Sequence, residues 1–194
     1  MTYLKGFLPW IVFSVLSVVG WQWGALAALL LSAGLLWRER RAGAGFDGQI
    51  LDIGALVYFA ALTVFAFVEM HSGAERYDGA LSSVWLALVA WASLAVRRPF
   101  TTGIARGRAP REVWDSPVFL RMNMVLTLVW SASFTAVAVA AYACDALSAP
   151  TVVRIAYQAI GLGIPAYFTH RYVALLAARR SGTVDEPAEE VAAL

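Results

Sequence analysis

Four polar side chains recur at a strict spacing of four within the charge-free stretch 122–144. They are Asn123, Thr127, Ser131 and Thr135. On an α-helix this spacing places all four on one face. Inside a membrane, where polar groups are costly, such a face can form a polar pathway for an ion or a small solute. The same side chains can instead bond to their own backbone or to a neighbouring helix, and we favour this packing role.

A second candidate site lies in the next apolar segment, around Pro165. Proline removes a backbone donor and clashes with the preceding helical turn, so the sequence predicts a kink there. Transporters build binding sites at broken helices, although glycine and proline also occur in transmembrane helices that hold no site. The residues that would form this site are Gln158, Gly161, Gly163, Pro165 and His170.

Signatures of catalysis are missing from the chain. It contains no G-x-S-x-G, no H-E-x-x-H, no phosphate-binding loop and no C-x-x-C. The two histidines, His71 and His170, fall at opposite predicted membrane faces and cannot together ligate one haem. We therefore expect no catalytic residues, no cofactor and no metal.

The composition predicts the elements that position these residues. Hydrophobic residues make up 60% of the 194 residues and charged residues only 14%, whereas soluble domains carry about 25% charged residues. A soluble fold of this length could not bury so much apolar surface. The chain is therefore expected to be an integral membrane protein.

The charge-free stretches predict an all-α, polytopic transmembrane helix bundle with six spans. One span needs roughly 20 mostly apolar residues. Asp115 and Ser116 before Pro117 are typical of a helix start and define the fifth span. The expected spans are 4–20, 24–37, 50–70, 79–97, 117–144 and 151–178.

The first two spans depend on how residues 20–24 fold. This Gly-Trp-Gln-Trp-Gly sequence favours a turn at the membrane interface. One long, tilted helix is the alternative, which would leave five spans. Residues 1–180 form a single domain in either case, and the acidic tail 181–194 is predicted to be disordered.

Basic residues predict the orientation, because lysine and arginine accumulate on the cytoplasmic side. Thirteen of the 15 fall on one side: Lys5, Arg38, Arg40, Arg41, Arg97, Arg98, Arg106, Arg108, Arg111, Arg121, Arg171, Arg179 and Arg180. Only Arg76 and Arg154 fall opposite. Both termini of the six-span chain should therefore be cytoplasmic. The net charge of +2 reflects this orientation rather than nucleic-acid binding.

The longest cytoplasmic connection, 97–117, is rich in arginine. Each arginine near the surface contributes about 1 kcal/mol of attraction to anionic headgroups. Contact with membrane lipids is therefore expected, and a dedicated lipid or partner site is the sharper alternative. The residues concerned are Arg97, Arg98, Arg106, Arg108 and Arg111.

Several short motifs resemble the bacterial intracellular septation protein A family and a wider group of bacterial membrane proteins. They are Phe7-Leu8-Pro9-Trp10-Ile11-Val12-Phe13, Arg98-Pro99-Phe100, and the later residues Trp114, Arg121, Asn123, Trp130 and Phe134. The resemblance implies a multi-pass protein of the bacterial inner membrane, linked to envelope or division machinery. It also implies action by contact, with no catalytic residues to carry over.

Three functional hypotheses follow. The first is a non-enzymatic membrane protein that organises an envelope complex, with a membrane-protein partner or a second copy of itself, through the 97–117 loop. The second is a small transporter or channel that uses the polar stripe and the region of Pro165. The third is a membrane subunit of an enzyme or redox complex.

Overall fold

The computed structural model describes residues 3–43, 49–69, 73, 77–107 and 109–182, and this part of the chain is all-helical. One turn of 3₁₀-helix, Arg111–Val113, is present, and the described residues contain no β-strand. The predicted all-α class is confirmed. The α-helices are α1 (Tyr3–Leu16), α2 (Trp21–Arg41), α3 (Ile50–Val68), α4 (Asp78–Ala95), α5 (Thr101–Arg106), α6 (Pro117–Ala146) and α7 (Thr151–Gly182).

Each predicted span coincides with a helix, and three of the described helices are long and apolar enough to cross a membrane. These three are α3, α4 and α6. The apolar part of α1, Gly6–Leu16, is shorter. The other two helices that correspond to predicted spans, α2 and α7, are 21 and 32 residues long, but neither meets the combined criteria of length and apolar composition.

The first charge-free stretch forms two helices. α1 ends at Leu16 and α2 begins at Trp21, so the alternative of one long helix is wrong. The turn lies a few residues before the predicted position, since the tryptophans already belong to α2. Gly24 permits this tight hairpin: a Cβ atom there would lie 2.9 Å from the backbone nitrogen of Ser17.

Aromatic rings fill the space between α1 and α3. The ring centroid of Trp10 lies 5.0 Å from that of Tyr58 and 4.7 Å from that of Phe59. Phe13 packs against Phe59 as well, with 5.5 Å between centroids. Pairs of this kind contribute about 0.5–1.5 kcal/mol beyond the area they bury. The N-terminal hairpin is thus fixed to the rest of the bundle by its rings.

The packing of α3 on α4 adds two hydrogen bonds. Trp85 Nε1 donates to the carbonyl oxygen of Gly54 at 2.9 Å. The hydroxyls of Tyr58 and Ser82 share a bond of 2.9 Å. Because the later residue of α3 meets the earlier residue of α4, the two helices run antiparallel.

The central helix is α6, which starts where the sequence predicts. The Ser116 hydroxyl accepts a hydrogen bond from the backbone N–H of Phe119 at 3.2 Å, and Pro117 occupies the first helical position. Its 30 residues extend about 45 Å, which exceeds the roughly 30 Å of membrane hydrocarbon. Its first half packs beside α5 and its second half beside α4.

The last helix, α7, packs mainly against α6. At the turn between them, Arg154 Nη1 lies 2.7 Å from Asp145 Oδ1. α7 continues to Gly182, four residues beyond the predicted span, so residues 181–182 of the predicted disordered tail are helical. The rest of the predicted tail lies outside the described residues.

Candidate functional site

The predicted polar stripe is largely buried and hydrogen-bonded. Asn123, Thr127 and Ser131 are completely buried, whereas Thr135 is exposed. Asn123 Nδ2 donates to the carbonyl oxygen of Phe119 at 2.9 Å. The hydroxyls of Ser131 and Thr135 donate to the carbonyl oxygens four residues earlier, at 2.8 and 2.9 Å. These hydrogen bonds use the donor groups of the three side chains within α6 itself.

Side chains of neighbouring helices form hydrogen bonds with the stripe. From α5, the Thr101 hydroxyl donates to the carbonyl oxygen of Asn123 at 3.0 Å and shares a 2.8 Å bond with the Thr127 hydroxyl. From α4, Trp91 Nε1 donates to Thr135 Oγ1 at 3.1 Å. The stripe therefore joins α6 to two helices. We call this surface the polar seam.

The residues around Pro165 bring α7 close to α6. Pro165 lies inside a helix that continues from Thr151 to Gly182. A Cβ atom on Gly161 would lie 2.0 Å from Val137 Cγ2, so only glycine allows this approach. Gly163 has nothing within 4 Å of its would-be Cβ. Only one of the two predicted glycines is thus a packing residue.

A large cleft lies between α1, α6 and α7, with a volume of about 1390 Å³. α6 lines it from Val118 to Val137, and α7 lines it from Gln158 to Ala177. Both distances along the helix amount to about 28 Å. The third wall is formed by α1 and by the α5 region, including Ile11, Ala105 and Pro110. The walls are predominantly apolar.

The cleft brings together residues from both predicted polar sets. Asn123, Gln158 and His170 all belong to its walls, and so does Thr169. Asn123 is completely buried, and its Oδ1 accepts no hydrogen bond from the described residues. Gln158 and His170 are exposed. The two exposed side chains are about 18 Å apart along α7, so they act at different depths.

The predicted arginine cluster gathers around Trp114. The guanidinium carbons of Arg106 and Arg111 lie 5.3 and 5.7 Å from the centre of its ring. Trp114 Nε1 donates to the carbonyl oxygen of Ala109 at 3.0 Å. Because Ala109 also lines the cleft, the Arg–Trp cluster adjoins one end of it. Cations held over an indole ring suit a membrane interface.

Of the other predicted arginines, Arg97 and Arg98 lie between the end of α4 and the start of α5. Arg97 follows α4 in a left-handed conformation, with φ of 55°. Its neighbour Arg98 is exposed. Arg108 lies outside the described residues.

Sequence reasoning missed three features. Asp145 and Arg154 were not predicted as site residues, yet the Asp145 side chain is only 3% exposed and forms an ion pair with Arg154. Asp52 at the start of α3 lies close to Glu39 near the end of α2. The cleft itself needs α1 beside α6 and α7, which no local pattern indicates. The sequence does contain a signal for the ion pair, because Asp145 and Arg154 flank the turn between the fifth and sixth predicted spans.

Among the described residues, no three histidine, cysteine, aspartate or glutamate side chains come together as a possible metal site. Comparison of the chain with family models, with curated proteins and with solved structures gives no match. The function is therefore argued from the cleft, the polar seam and the arginine cluster.

Proposed function

We propose that this chain is a non-enzymatic, six-span protein of the bacterial inner membrane that organises a membrane complex by contact. The cleft is the observation that carries this proposal. It is a groove of about 1390 Å³ that runs along most of α6 and α7. Because the groove adjoins the Arg–Trp cluster, the cleft and the 97–117 loop together offer one continuous contact surface.

The proposed orientation has both termini in the cytoplasm. The helix ends at Arg41 and Ala95 and the helix starts at Ile50 and Pro117 adjoin the arginine-containing connections. These ends share one side of a bundle whose neighbouring helices alternate in direction. Basic residues on that side favour retention in the cytoplasm.

Contact is favoured over transport by the state of the polar seam. A pathway for ions or solutes needs polar groups that are free to exchange partners. The hydroxyls of Ser131 and Thr135 instead donate to backbone carbonyl oxygens of their own helix. The Thr101 and Thr127 hydroxyls bond to each other. These groups support α6 packing and offer little to a passing solute.

Native mass spectrometry of the protein released from its own membrane tests the proposal. We expect a defined additional mass that corresponds to another protein chain in fixed stoichiometry. Release into a strongly denaturing detergent, as the control, should remove that mass. Bare protein with scattered lipid masses would contradict the proposal, and a bound cofactor mass would favour a subunit of an enzyme.

The topology is tested separately with single cysteines in a Cys144→Ala background. Leu147 is 80% exposed after α6, and Ala42 is exposed after α2. A membrane-impermeant maleimide added to intact cells should label Leu147→Cys and spare Ala42→Cys, and both should react after lysis. The reverse pattern, or labelling of both in intact cells, would refute the orientation.

A further inference from the structure

We infer that the cleft receives one transmembrane helix of a partner protein and that Gln158 is the polar contact for this helix. The inference rests on the proposed function and specifies its partner. Three properties of the cleft carry it: its length, its volume and the chemistry of its α7 wall.

The length of the cleft matches a membrane-spanning helix. Both walls, Val118–Val137 and Gln158–Ala177, extend about 28 Å. The hydrocarbon of a bilayer is roughly 30 Å thick, and a spanning helix has about 20 residues. The chains of a single lipid occupy one leaflet, which is about half this thickness. A lipid would therefore fill only about half of the groove.

The volume of the cleft is also that of a groove for a helix. A helix about 28 Å long and, with its side chains, about 10 Å wide occupies roughly 2,200 Å³. The cleft, at about 1390 Å³, would hold more than half of such a cylinder. The rest of the helix would face the bilayer.

Gln158 gives the cleft a polar contact that lipid chains cannot satisfy. Its side chain is exposed and belongs to the α7 wall, about 10 Å along the helix from Thr151. An amide offers two donors and an acceptor, and hydrocarbon offers no partner for any of them. A polar side chain or a small-residue face of another helix can supply these hydrogen bonds.

Small residues allow a helix to approach the walls closely. Alanines occur on both the α5 and the α7 sides of the cleft, and such residues let helix backbones come near each other in membranes. These small side chains complement the polar contact of Gln158, but they do not define the site by themselves. These alanines are Ala105, Ala109, Ala166, Ala174 and Ala177.

Photocrosslinking in intact membranes tests the inference. A diazirine amino acid is placed at Leu162 or Ala166, which line the cleft, and at Ile160 or Ile164, which are exposed on α7 away from it. We expect protein adducts from the cleft positions alone. The crosslinked peptide should come from an apolar segment of about 20 residues. Lipid adducts, a second copy of this chain or equal yields at the control positions would overturn the inference.

Gln158→Leu measures the polar contact. Interhelical hydrogen bonds in membranes average about 0.6 kcal/mol and reach about 1.7 kcal/mol, so we expect the adduct yield from Leu162 to fall about threefold, and by no more than about eighteenfold. Tyr167→Phe is the matched control, since it removes a polar group from an exposed part of α7 outside the cleft. That variant should retain the full yield. An unchanged yield with Gln158→Leu would remove Gln158 from the contact.

The two proposals can fail separately. If native mass spectrometry shows a partner chain but the cleft positions give no adduct with it, the docking site is wrong and the organising function stands. If no partner mass is found and the cleft positions crosslink only to lipid, both proposals fail.

Discussion

α6 has two unlike interfaces. On one side, α4 and α5 meet it through the polar seam, where Thr101 and Trp91 bond to its side chains and backbone. On the other side, α7 is attached at separate points, and the cleft opens between α7 and α1. Those points are Asp145–Arg154, Ser133–Gly161 and Trp130–Thr169.

The difference shows how one helix can serve both structure and binding. The seam uses its hydroxyl groups internally, so we expect it to resist substitution. Asn123 is the seam residue whose Oδ1 accepts no hydrogen bond from the described residues, and it also lines the cleft. α7 is attached to α6 at a few points, and the rest of its cleft-facing wall is open to contact by another molecule. We therefore expect substitutions in the seam and at the attachment points to reduce stability, and substitutions in the cleft to reduce binding.

The largest effect on stability is expected from Arg154→Met. It removes the Arg154 guanidinium from the Asp145 carboxylate, whose side chain is only 3% exposed. Breaking a buried pair costs about 3–5 kcal/mol, and the 38% exposure of Arg154 reduces this to about 2 kcal/mol. The free energy of unfolding in mixed micelles measures the loss.

Arg171→Met is the matched control for that substitution, because Arg171 is an exposed arginine on the same helix. It should change stability by less than about 0.5 kcal/mol. A second change, Asp145→Asn in the Arg154→Met protein, should recover part of the loss. Equal effects of the two arginine substitutions would show that the ion pair does not hold α7 on α6.

Gly161→Ala should destabilise the same interface by about 1–3 kcal/mol, as overpacking typically does. The added methyl group would lie 2.0 Å from Val137 Cγ2, and valine has little freedom to move away. Val137→Ala should relieve the clash when the two substitutions are combined. Gly163→Ala has open space and should be neutral or slightly stabilising. Equal losses from both glycine substitutions would refute the close approach.

Within the seam, Thr101→Val should cost about 1 kcal/mol because it removes two buried hydrogen bonds while conserving shape. Its neighbour Thr102 is also buried, but its hydroxyl has no hydrogen-bond partner among the described residues. Thr102→Val should therefore be neutral or stabilising. Unfolding free energies of the two valine variants compare them directly, and identical values would contradict the assignment of the bonds.

The sequence predicts these two interfaces unequally. Periodicity places Asn123, Thr127, Ser131 and Thr135 on one face, and the structure keeps them there because a helix preserves a spacing of four. Which helix covers that face depends on α5, a six-residue helix too short to give a periodic signal. The cleft depends on α1 meeting α6 and α7, which lie far from α1 in the chain, so no local pattern could predict it.

The two glycines near Pro165 show the same limit. The sequence gives no reason to prefer either glycine as a packing residue. In the structure only Gly161, of these two, closely approaches another helix. The choice depends on the rotation of α7 against α6, which is fixed by tertiary contacts such as Trp130 with Thr169. A local motif predicts that a helix can pack closely, and the partner helix decides at which residue.

The smallest effect on stability is expected from Gln158→Leu, which separates binding from folding. Gln158 is exposed in the cleft, and its loss should change the free energy of unfolding of the isolated protein by less than about 0.5 kcal/mol. Recovery of the partner chain with the protein should nevertheless fall. If Gln158→Leu lowers stability as much as Gly161→Ala does, Gln158 supports the fold, and the α7 side differs from the seam only in degree. If stability is retained while the partner is lost, the two sides of α6 have different roles, because the α7 wall of the cleft then tolerates a substitution that the polar seam does not.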